Sequence, residues 1–119
     1  MTPAELAGQA AEAVRALNHA TLPGTGGLQY PVGAYEVTGQ LAMLAARLPQ
    51  ALAQILAFLQ EQAAAGAITV VAGQHQGDPA AMLAAVTADL DAAAGFARRL
   101  HQAPDNAQNH LTWAAATEP

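Results

Sequence analysis

The stretch AYEVTGQLAMLAARLPQALAQILAFLQEQAAA, residues 34–65, decides the fold of this chain. Val37, Leu41, Leu44, Leu48, Leu52, Ile55 and Leu59 recur at spacings of three and four, which puts them on one face of a helix. Met43, Leu56 and Phe58 widen that stripe. Gly66 follows as a C-terminal cap, because glycine accepts the left-handed conformation that ends a helix. Pro49 lacks a backbone donor and its ring crowds the carbonyl four residues back. The stripe keeps its phase across Pro49, so the spacing predicts one kinked helix rather than two.

Two further helices flank this one. Thr2-Pro3-Ala4-Glu5 is an N-cap, a proline at the first helical position and an acid in the first turn, and Leu6, Ala10, Val14 and Leu17 continue as a stripe. The run Leu22–Gly27 cannot prolong that helix and is mobile by composition, and Tyr30-Pro31 is a stiff re-entry into the long one. Downstream, Ala67–Val71 is the only β-prone run; without a partner strand it is expected to be an extended connector. Asp78-Pro79 starts a third helix, with Leu83, Val86, Leu90, Ala93, Ala97 and Leu100 on its apolar side and Met82 and Phe96 beside them. Pro104 is expected to break or kink it, leaving a moderately helical tail. The fold expected is all-α: an antiparallel hairpin of helices two and three within a three- or four-helix bundle. It is a single domain over residues 1–119, with 104–119 a tail free to move. Leu44, Leu48, Leu52, Ile55, Leu83, Val86 and Leu90 are the expected core between the long helices.

Composition narrows the function. Hydrophobic residues make up 53% of the 119 and charged ones only 11%, well under the usual quarter. More than a quarter of the chain is alanine, so each apolar position buries little and weakly apolar faces should remain uncovered. Cys, Ser and Lys are absent, which removes thiol and serine nucleophiles, Schiff-base lysines and the P-loop lysine. A net charge of -5 with four arginines and no basic stripe argues against nucleic acid as a partner. No unbroken run of 18 apolar residues occurs, so no membrane span is expected. The N-terminus opens on a helix cap rather than a basic and apolar leader, and a cytoplasmic location is the default.

No motif of established chemistry stands out. His19, His75, His101 and His110 are nowhere three or four residues apart, as helical metal ligands would be, so no metal or cofactor is expected. His75 with Asp78, and His101 with Asp105, read more simply as helix-end residues. Asp89 and Asp91 are two apart and point to different sides of a helix. His19, Tyr30, Tyr35 and Glu36 surround the glycine- and proline-rich re-entry and form the one candidate ligand pocket, although a first-turn acid and aromatic packing under a loop are the commoner account of such residues.

Ala13–Thr21, then Tyr35-Glu36-Val37, then Arg47-Leu48-Pro49-Gln50-Ala51-Leu52, resemble small Ala-rich helical proteins of unassigned function in high-GC actinobacteria. The resemblance implies a helical accessory protein, of a plasmid or other mobile element, and supplies no active residues. The expected function is a non-enzymatic interaction or assembly module, acting as a homodimer or through another protein. Met43, Leu56, Phe58, Phe96 and Trp113 are the candidate partner-binding residues. The alternative is a small-ligand-binding protein or small enzyme using the His19, Tyr30, Tyr35 and Glu36 pocket. A secreted helical-hairpin effector shares the architecture, but this chain lacks a Trp-x-Gly turn between its long helices.

Overall fold

A computed structural model describes residues 1–117. It contains α1 (Pro3–Ala20), α2 (Pro31–Ala64) and α3 (Pro79–Leu111), and no strand among the described residues. Local chemistry sets the ends of these helices. The Thr2 hydroxyl accepts from the Glu5 N–H at 3.1 Å, and the Asp78 carboxylate accepts from the Ala81 N–H at 3.0 Å. Gly66, with φ of 70°, closes α2: its N–H donates to the Ala63 carbonyl and that of Ala67 to the Gln62 carbonyl, the paired bonds of a Schellman end. The β-prone Ala67–Val71 run is part of the connection between the long helices, as expected. The loop after α1 is tied back, because the Thr25 hydroxyl donates to the Ala20 and Leu22 carbonyls and a Cβ on Gly27 would collide with the Ala20 carbonyl oxygen.

α2 passes through Pro49 without interruption, as its apolar phase predicts. α3 likewise passes through Pro104 and ends at Leu111, so the first half of the expected tail is the last two turns of a long helix. The molecule is rod-like, 68 × 26 × 25 Å, with a radius of gyration of 19.7 Å against about 13–14 Å for a compact chain of this length.

Only α2 and α3 pack backbone against backbone. Their seam follows a heptad on both helices. On α2 it runs Tyr35, Thr38, Ala42, Ala45, Pro49, Leu52, Leu56, Leu59, Ala63; on α3 it runs Leu83, Thr87, Leu90, Ala94, Ala97, His101, Pro104, Gln108, Leu111. Each of these is buried or half-buried, and the alternating steps of three and four are those of a left-handed antiparallel coiled coil. The most enclosed residues are Ala42, Ala45, Leu56, Ala94 and Ala97, with Ala45 at 0% exposure. Two side chains of α3 bond across the seam: His101 Nδ1 lies 2.8 Å from the Ala42 carbonyl oxygen, and Gln108 Nε2 donates to the Tyr35 carbonyl at 3.2 Å. These bonds are seven residues apart on each helix, one heptad. The same register sets Pro49 opposite Ala94, and Pro104 opposite Gly39, where a Cβ would collide with the Gln108 amide.

The expected leucine core is therefore corrected. Leu52, Leu83 and Leu90 lie in the seam, but Leu48 is 38% and Ile55 51% exposed, and Leu44 and Val86 sit beside the seam rather than in it. The physical reason is distance. Methyl side chains let the two backbones come closer than leucines would, so the large residues are displaced to one side. α1 makes no close backbone approach to either long helix, and an ion pair between Glu12 and Arg15 on its solvent side holds the Glu12 carboxyl below its ordinary range.

Neighbouring alanines should respond in opposite ways. Ala45→Leu forces bulk into the closest part of the seam and should cost about 1–3 kcal/mol in urea unfolding. Ala46→Leu, one residue along on an exposed position, should change stability by less than about 0.5 kcal/mol. Equal effects would place the seam elsewhere on α2.

Candidate interaction surface

The residues displaced from the seam form a second heptad on α2: Val37, Leu41, Leu44, Leu48, Ala51, Ile55 and Phe58, again at steps of three and four. At 100° per residue this stripe is centred about 110° round the helix from the seam. α3 has the matching set Met82, Val86, Ala93, Phe96 and Leu100. Both stripes emerge on the same side of the hairpin, because an open groove of about 690 Å³ is lined jointly by Leu48 and Leu52 from α2 and by Ala93, Phe96, Ala97, Arg99 and Leu100 from α3. Phe58 is 58% and Phe96 61% exposed on this face. The Arg99 guanidinium lies over the Phe96 ring, 4.7 Å from its centroid, and covers one face of it.

The opposite flank of the hairpin has a different composition. There α2 carries Gly39, Ala46, Ala53 and Gln60, and α3 carries Ala84, Asp91, Arg98 and Asp105. The hairpin is two-faced: one side has large apolar residues, the other small and charged ones.

α1 covers one end of the apolar face. Ala13, Val14 and Leu17 look across an open groove of about 370 Å³ at Glu36, Val37, Gln40, Leu41 and Leu44. Val14 and Leu17 are half-buried there, whereas Leu6 at the far end of α1 is exposed.

The candidate partner residues separate on this framework. Phe58 and Phe96 lie on the apolar face and are open to solvent. Leu56 is 9% exposed and belongs to the seam, so it is not available to a partner. Met43 is half-exposed but points about 100° away from Leu44, toward the polar flank. Trp113, at 93% exposure, lies beyond the end of α3 and anchors nothing in the hairpin. Leu41, Leu48, Ile55 and Leu100 belong to this face and are not among the sequence candidates; the heptad spacing of Ala42, Ala45, Ala94 and Ala97 is the sequence signal that could have set them outside the core.

His19, Tyr30, Tyr35 and Glu36 do not line a common cavity. Glu36 faces the α1–α2 groove, Tyr35 belongs to the α2–α3 seam, and His19 and Tyr30 are exposed. Among the described residues no three His, Cys, Asp or Glu side chains gather as a metal site, and no buried side-chain polar atom lacks a hydrogen-bond partner.

By length and composition alone, α2 and α3 are apolar enough to cross a membrane. The unbroken-run criterion and average hydropathy thus differ for this chain. Every 18-residue window of α2 contains Arg47, and every such window of α3 contains both Asp89 and Asp91 or both Arg98 and Arg99. Ions at mid-span are costly in hydrocarbon.

No family model matches the chain, and neither a curated protein nor a solved structure matches it.

The His101 contact has a spectroscopic consequence. A carbonyl oxygen only accepts, so Nδ1 must carry the hydrogen in the bond to Ala42. Long-range ¹⁵N–¹H correlation spectra should show His101 protonated at Nδ1, and His101→Ala should cost about 1–2 kcal/mol through the lost bond and seam packing. A neutral ring protonated only at Nε2 would show that the bond to the Ala42 carbonyl is absent.

Proposed function

We propose that this protein is a non-enzymatic helical interaction module, acting by homo-oligomerisation or through a protein partner, with the large-residue face of the hairpin as its working surface. The observation that carries this reading is the two-faced hairpin. Large apolar residues exposed in a continuous stripe at heptad spacing, beside a polar flank, are what a further helix packs against. A pair of bilayer-spanning helices would instead turn the polar flank, with Asp91, Arg98 and Asp105, toward lipid. The alternative reading of a ligand pocket gains no support, since its four residues sit in different places.

Site-specific photo-cross-linking in the cell that makes the protein tests the reading. A benzophenone amino acid at Leu48 should give protein adducts on irradiation, and the same group at Ala53, on the polar flank, should give none. Absence of any adduct from Leu48, with the protein folded, would remove the proposed surface.

A further inference from the structure

We infer that the occupant of the apolar face is a second copy of this chain, docked face to face about a two-fold axis that crosses the hairpin at the level of Ala94 and Pro49. This rests on the interaction-module reading and adds the identity and placement of the partner.

Two features favour a second copy. The first is repeat. The exposed stripe on α2 has the same steps of three and four as the seam, the spacing at which one helix packs along another.

The second is charge. Asp89 is the carboxylate on the α3 part of this face, and Arg99 is the cation at the groove rim. Neither has an ion-pair partner among the described residues, where the Glu12–Arg15 pair stands alone. They lie ten positions apart on one helix, about 15 Å, too far to pair within the chain. They are also equally distant, five residues each way, from Ala94. A two-fold axis at that level brings each Asp89 to Arg99 of the second copy, twice over, as a closed symmetric interface requires. The product is an antiparallel four-helix bundle.

Light scattering on the purified full chain across micromolar concentrations should give twice the 12.1 kDa chain mass. Leu48→Asp should return it to the monomer with its helical circular dichroism intact. Asp89→Arg and Arg99→Asp should each weaken the dimer by about tenfold, since like charges then face one another. The double variant Asp89→Arg/Arg99→Asp should restore it. A dimer that the double variant does not restore would overturn the two-fold placement. A monomer at high micromolar concentration would overturn the second copy as occupant: adducts from Leu48 to a different protein would then leave the interaction reading standing. Sedimentation of that monomer with phosphatidylcholine–phosphatidylglycerol vesicles would name lipid instead.

Discussion

The close approach of α2 and α3 through an alanine seam is the constraint on which the rest of the molecule depends. Ala42, Ala45, Ala94 and Ala97 let the backbones meet, but each buries only a methyl group, and none of the larger side chains is fully enclosed. The core is consequently thin, and stability has to draw on sources that do not need bulk. Alanine loses no side-chain entropy on entering a helix and is the best helix former, so a long Ala-rich helix is inexpensive to order. Thr2, Asp78 and the Gly66 ending satisfy backbone groups at the helix termini, where fraying would otherwise begin.

The two polar side chains in the seam bond across it to backbone rather than to each other. The carbonyls of Ala42 and Tyr35 lie within a continuous helix and have a second lone pair to offer, so the bonds from His101 and Gln108 add to the helical pattern without replacing any part of it. Alanine against alanine is nearly featureless and tolerates sliding by a heptad. The carbonyls that His101 and Gln108 meet are a heptad apart, so the bonds alone do not choose among heptad registers; Gly39 does, because a Cβ there would collide with the Gln108 amide and the positions a heptad away are Val32 and Ala46.

The parts of the fold that were legible in the sequence are those fixed by local chemistry. The Thr2 and Asp78-Pro79 starts, the Gly66 ending and the passage of α2 through Pro49 each follow from residues within a turn of one another. The core was misread because large side chains were weighed as the interior and alanine as filler. Leu48 and Ile55 satisfy helical periodicity as well as any core residue, yet the seam runs one stripe away from them. Of the two outcomes a local rule allows at Pro104, a break or a kink, the break does not occur: Gln108 and Leu111 have seam positions to occupy beyond it, and the helix continues to Leu111. His101, which resembles a helix-end residue beside Asp105, is a mid-helix seam residue on the same account. The candidate surface was only partly legible: Phe58 and Phe96 stand out by size, whereas Leu41, Leu48 and Leu100 can be placed outside the core only once the alanine heptad is recognised.

Low charge then acquires a different meaning from the one composition gives it. Averaged over the chain, 11% charged residues describe a surface weakly apolar on every side. In the folded hairpin the ions are sorted. Asp91, Arg98 and Asp105 lie together on the small-residue flank, while the large-residue face keeps Asp89 and Arg99 as its principal ions, symmetrically disposed about the middle of α3. Sorting of this kind is not needed for the hairpin itself, whose seam excludes both faces equally. It suits the proposed docking of a neighbour on the large-residue face, with the other flank left in water. α1 shows the same sorting on a small scale: its apolar Val14 and Leu17 turn toward Val37 and Leu44 at the end of that face, and Glu12 and Arg15 remain in water.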